Sequence, residues 1–201
     1  MKKIILLLAV AVFSAFTLPQ QSLQEKDNAF LAQQLQQSKD SLLAHISGLS
    51  DAQLAYKPAA DRWSIAECIE HIMMVEKFMM DAEKKMMEQP ANPEKRKEIK
   101  ITDDQLLKGV EDRSHKAKAP EFGQPKHAYT STADLIKAFT EQRDQLIGYV
   151  SNTKDDMRGH VMDNPAFGPM DAYQLLLLDA AHTVRHTKQI DEVKGDAGFP
   201  K

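Results

Sequence analysis

Four stretches of this chain repeat apolar residues at helical spacing, and none repeats them convincingly at the alternate-residue spacing of a strand ladder. The first runs from about Leu23 to Ser47, with Phe30, Leu31, Leu35, Leu42, Leu43 and Ile46 recurring on one side. The second opens at "SIAE", where Ser64 and Glu67 stand at capping-box spacing, and runs to about Gln89 before two prolines stop it. A third starts at Ser131 or Thr132 and carries Leu135, Phe139, Leu146 and Val150. The fourth spans about Met170 to Lys194, with Gly195 placed as a stop. Four such helices around one core predict an all-α four-helix bundle.

The segments between them carry turn chemistry. "GLSDAQLAYKPAADRW" reads as a connection, and "NPAFGPM" leads into the fourth helix. Residues 92–130 are irregular, with Pro93, Pro120, Pro125, the solvated run "EKRKEIK" and one short helix around Asp103 to Arg113. A long insertion of this kind between helices two and three is commonly functional or mobile.

The beginning of the chain has a separate character. Lys2 and Lys3 precede an apolar run from Ile4 to about Phe16, and small and polar residues follow. That is the layout of a secretory signal peptide, and the run is short for a membrane span. Residues 1–20 are therefore expected to be removed, leaving residues 21–201 as one periplasmic or secreted domain with no stable membrane insertion. A retained N-terminal anchor is the rival reading. The formal charge is −3, and a mildly acidic chain without a basic stripe is a poor partner for nucleic acid. The single cysteine, Cys68, permits no internal disulfide even in an oxidising compartment.

Seven histidines occur, and two of them sit in "DAAHTVRHTKQI". His182 and His186 are one helical turn apart, so they face the same way with Cβ atoms about 6 Å apart. Their stripe also carries Leu175, Asp179, Gln189 and Val193, which suggests that it faces inward. Burying two imidazoles is costly without partners, whereas one metal ion satisfies both. His71 in "WSIAECIEHI" shares a face with Ser64, Cys68, Val75 and Phe78 and is the candidate third ligand. The plainer account is that each histidine is a hydrogen-bonded core residue. His45, His115, His127 and His160 are expected to be solvated or locally paired.

Three features together resemble the DinB/YfiT-like family of metal-dependent proteins: "WSIAECIEHI" with Trp63 just before the helix, the closing "HTVRHTKQI", and "NPAFGPM" before the last helix. The resemblance covers essentially the whole chain after residue 20. It implies an up-down-down-up bundle, a divalent metal such as zinc or nickel on His71, His182 and His186, and a homodimer. It also implies hydrolase or thiol-dependent transferase chemistry on a small molecule. An export segment departs from the mostly cytosolic family pattern and weakens the case for a cytosolic thiol substrate.

Three neutral imidazoles leave the ion its full charge and an open position, which acidifies a bound water or thiol and polarises a carbonyl. The zinc-protease signature is absent, because Thr183 rather than glutamate follows His182. Asp179 and Glu67 are the candidate general bases. Each has a structural explanation as well: Asp179 as a support for a histidine, Glu67 as the helix cap. Gln189 is a further supporting candidate. The methionines at 73, 80 and 87 recur every seven residues and are read as packing, and Cys68 as a small buried thiol. A non-catalytic metal or small-ligand binder is the alternative function, and a bundle that has lost its site is a third.

Overall fold

The computed structural model describes residues 22–116 and 118–201, so the expected export segment at residues 1–20 lies outside the described residues. Four long helices form the bundle: α1 (Leu23–Ile46), α3 (Ile65–Met87), α5 (Thr132–Asn152) and α6 (Ala172–Lys194), with a short α2 (Asp51–Ala55) and α4 (Asp103–Glu111) between them. Each start has a chemical cause. Ser22, Ser50, Ser64 and Thr102 build reciprocal capping boxes with Glu25, Gln53, Glu67 and Gln105. Ser131 and Asp171 cap α5 and α6 through their side-chain oxygens.

Side-chain bridges fix the helix directions. Asn28 reaches the Thr153 carbonyl (3.1 Å) and Lys39 reaches Asp144 (2.6 Å), so α1 and α5 run antiparallel. Gln142 donates to the Met73 carbonyl (2.9 Å) and Tyr149 to Glu83 (2.7 Å), so α3 and α5 run parallel. Lys194, at the end of α6, donates to the carbonyl of His45, at the end of α1, so these two are parallel. His71 meets His182, and Val75 and Met79, further along α3, share an apolar cluster with Leu175 and Leu178, earlier in α6, which makes the two helices antiparallel. The result is up-down-down-up. Helices α1 and α3, consecutive in the bundle, lie diagonally opposite, each packed between α5 and α6.

Three apolar clusters fill the interior. One joins Leu42, Ile65, Ile69, Phe139 and Ile190; one joins Leu31, Leu35, Leu146, Tyr173 and Leu176; the third packs Leu106 and Val110 of α4 against Leu175 and Leu178. Cys68 is fully buried in the first, where burial pushes its thiol up to about 12, so it is an inert packing residue. The methionine stripe packs as expected: Met73 and Met79 are buried, and Met80, Met86 and Met87 lie against the second cluster.

Periodicity does not announce every short element between the long helices. Residues before α6 form a hairpin, β1 (Val161–Asn164) and β2 (Gly168–Asp171), paired antiparallel from Val161↔Asp171 to Asn164↔Gly168. The Asn164 side chain accepts from the amides of Ala166 and Phe167, and Gly168 takes a positive φ of 74° that a side chain would strain. Strands this short, one containing proline, leave no alternation to read. The connection after α1 likewise contains α2. Arg158, stacked 3.6 Å over the Tyr173 ring and paired with Asp27, Asp103 and Asp171, ties the hairpin base to α1 and α4. Among the described residues, no helix is long and apolar enough to cross a membrane.

The candidate metal centre

Antiparallel packing of α3 on α6 brings His71 beside His182 and His186. The Nε2 atoms of His71 and His182 are 3.1 Å apart, as are those of His186 and His182. One ring nitrogen from each of the three lies within 4.8 Å of the others. Two nitrogens each about 2.1 Å from one ion stand about 3.4 Å apart in tetrahedral and about 3.0 Å apart in octahedral geometry. The two 3.1 Å spacings about His182 fall between these values.

Hydrogen bonds on the far side of two rings decide what faces the centre. His71 Nδ1 lies 2.6 Å from the Gly123 carbonyl oxygen, which can only accept. His186 Nδ1 lies 2.9 Å from Gln189 Oε1, and that oxygen also accepts from Arg113 Nη1 (3.2 Å), which fixes the amide orientation. Both Nδ1 atoms therefore carry the proton in the neutral ring, and both Nε2 atoms present lone pairs inward. Only His182 can place a proton between them. Its own Nδ1 is buried without a partner.

Charge reinforces this arrangement. Burial lowers the pKa of His71, against the opposing Gly123 hydrogen bond. His182 is driven well below the ordinary value by burial and then by His186, His71, Arg143 and Arg185. His186 is pushed down to about 3, first by burial and next by His71. Three neutral rings, two buried and that of His182 half-buried, converge with too few protons to share between their nitrogens, and this fits a cation.

A cavity of about 450 Å³ opens beside the rings, within the range of small-molecule sites of about 300–1,000 Å³. Trp63 walls one side, its ring 4.7 Å from that of His71 and 6.2 Å from that of His186. The insertion supplies the opposite wall. Glu70 accepts from the amides of His127 and Ala128 (2.9 Å each), strapping the segment that contains Gly123 against α3. Gly123 leaves room for the ring, because an added Cβ would stand a tight 3.2 Å from His71 Nδ1 and Cε1.

The two candidate bases are engaged elsewhere. Asp179 is fully buried against Arg143 (3.0 Å), and burial raises its pKa well above the carboxylate range. Its Oδ2 accepts from that guanidinium, and its Oδ1 has no partner. Glu67 caps α3 through the Ser64 amide (2.7 Å) and pairs with Lys57 (2.9 Å). The supporting role falls instead to Gln189, Gly123 and Glu70. Asp61 is the one carboxylate on the cavity wall among the described residues. The remaining histidines are peripheral: His45 bonds the Ser41 carbonyl and faces Asp191, His160 bonds the Met86 carbonyl, and the His127 ring is exposed near Glu67. The exposed His115 offers only its backbone carbonyl, to Arg185.

Bundle topology and converging imidazoles together define a class of helical protein with a histidine centre between two antiparallel helices. The chain belongs to the DinB superfamily, whose family model matches residues 34–190. It is similar to YuaE of Bacillus subtilis (strain 168), 30% identical over 149 residues that make up 74% of this chain and 88% of that protein. Its fold matches that of YfiT from Bacillus subtilis with a TM-score of 0.52 at 12% identity, over 92% of this chain and 95% of that one. YfiT is described as a probable metal-dependent hydrolase with an unusual four-helix bundle topology.

Proposed function

We propose that His71, His182 and His186 hold a divalent metal ion, zinc or nickel, and that the protein is an exported hydrolase of small-molecule esters or amides. The observation that carries this reading is the inward convergence of three Nε2 atoms, two of them locked as lone-pair donors by Gly123 and Gln189. The description of YfiT as a hydrolase points the same way.

A divalent ion held by neutral imidazoles retains its full positive charge, with which it acidifies water and polarises a carbonyl. The chain's own residues do the rest. Gly123 and Gln189 hold two rings in the ligating tautomer, Trp63 and the insertion shape the cavity, and the apolar packing behind the rings keeps them neutral.

Metal content measured on purified protein, alongside His71→Ala and His182→Ala variants, tests the assignment. The expected result is about one equivalent in the parent and loss in both variants; full retention by both removes the assignment. Ester and amide hydrolysis by loaded and stripped protein tests the reaction. A ligand that binds without metal-dependent turnover supports a binding protein instead. Mass spectrometry of the protein recovered from the periplasm or medium tests export, which predicts loss of about the first twenty residues.

A further inference from the structure

The cavity wall is far more basic than the chain. The molecule carries a net charge of −3, yet Arg62, Arg113, Lys116, Lys118 and Arg185 line the cavity against a single carboxylate, Asp61. Internal pairing does not cancel this excess. Glu192 takes a two-pronged bond from Arg113 (2.8 and 3.0 Å) and stands 3.6 Å from Arg62, so one carboxylate serves two guanidiniums. Arg185 donates to the backbone carbonyls of Val110, Asp112 and His115, which satisfy its hydrogens without neutralising it. Among the described residues, no carboxylate forms a direct ion pair with Arg185, Lys116 or Lys118; Asp112 and Glu192 act on Arg185, and Glu192 on Lys116, only through space. The imidazoles are neutral, and a divalent ion adds positive charge.

We infer that the substrate is an anion: a small ester or amide that also bears a carboxylate or phosphate group, held by Lys116 and Lys118 in the field of Arg113 and Arg185 while its reacting carbonyl faces the histidines. This rests on the proposed metal site and adds the substrate class. A low-dielectric wall concentrates the field of such a cluster into the cavity mouth. Arg185 also pins the loop that carries the lysines, so the cationic wall is positioned by α6, the helix that supplies two of the three histidines.

Trp63 is the only tryptophan and lines the same cavity, so its fluorescence reports occupancy directly. The full chain, metal-loaded and metal-stripped, is titrated at low ionic strength with benzoate, phenyl phosphate and the uncharged benzamide. Either anion should quench saturably, bind about tenfold or more tighter than benzamide, and weaken as salt is raised. Whichever anion binds more tightly identifies the headgroup. The double charge reversal Lys116→Glu with Lys118→Glu should weaken the anions about tenfold or more, with metal content and melting temperature unchanged. Both lysines are exposed, so the fold does not depend on them. Equal binding of benzamide and benzoate, or an unaffected double variant, overturns the inference. Metal content, measured on the same samples, separates the two readings. Anion preference without bound metal sinks the proposed centre and leaves the anionic site, and bound metal without anion preference does the reverse.

Discussion

At the scale of single residues, the proposed centre depends on atoms outside its three histidines. The His71 ring is oriented by one backbone carbonyl, and a Cβ at position 123 would crowd that ring at 3.2 Å. Gly123→Ala places a methyl 3.2 Å from the ring, so either the ring or the strap must move by a few tenths of an ångström. No apolar cluster includes Gly123, so the change in stability is expected to be about 1 kcal/mol or less. Metal affinity should fall by about 10- to 100-fold, the usual effect of disturbing a partner behind a ligand. Competition with a chromophoric chelator measures it. An affinity equal to the parent's would mean that the carbonyl does not orient the ring.

At the scale of helices, one side chain joins all four. Arg143 of α5 is fully buried and donates to Ser38 of α1 (2.9 Å), to Glu76 of α3, and to Asp179 (3.0 Å) and Thr183 (2.8 Å) of α6. Arg143→Met leaves two buried carboxyl groups without their cation and should cost about 3–5 kcal/mol in urea unfolding. Adding Glu76→Leu and Asp179→Leu removes the groups left unpaired and should recover at least half of that loss. A cost below about 1 kcal/mol for the single change would show that the cluster is dispensable. The same helices show what the sequence made legible. Periodicity and caps located the four long helices to within a few residues, because apolar stripes and Ser-x-x-Glu spacings are local. The histidine pair was legible for the same reason, and His71 because an imidazole stands out on an apolar face. Arg143 was not, although it interrupts the stripe formed by Phe139, Leu146 and Val150, as Glu76 and Asp179 interrupt theirs. A charge in such a stripe ordinarily lies at its edge, and only the tertiary meeting of three interruptions shows that they satisfy one another. Gly123 gave no sign, since its role is a carbonyl acting on a residue 52 positions away.

At the scale of the whole molecule, the buried histidines link stability to pH. An unfolded chain protonates each imidazole near pH 6.5, whereas in the folded, metal-free protein all three pKa values lie lower, His186 at about 3. Between these limits the unfolded state binds more protons, so stability falls as pH falls, by up to about 1.4 kcal/mol per pH unit for each ring. Two units of acidification below pH 6.5 therefore cost up to about 3 kcal/mol through His186 alone, a large part of the whole stability of an ordinary domain at about 5–15 kcal/mol. The lowered pKa values of His71 and His182 add to the loss in the same direction. Asp179, whose pKa is raised by burial, works in the opposite direction and offsets part of the loss as it binds its proton. The metal-stripped protein should thus lose stability steeply as pH falls from about 6.5 to 4. It should also lose stability above about pH 9, where the unfolded chain ionises the Cys68 thiol that burial keeps protonated in the fold. Bound metal opposes the loss by mass action, adding about 2.7 kcal/mol at a free concentration one hundred times Kd. Thermal unfolding of stripped, zinc-loaded and nickel-loaded protein across this range measures both effects. A variant with glutamine at positions 71, 182 and 186 supplies the control, since it lacks the three titrating groups. If its stripped profile parallels the parent's, the acid sensitivity arises elsewhere and the histidines are not the neutral, buried donors that a metal centre requires.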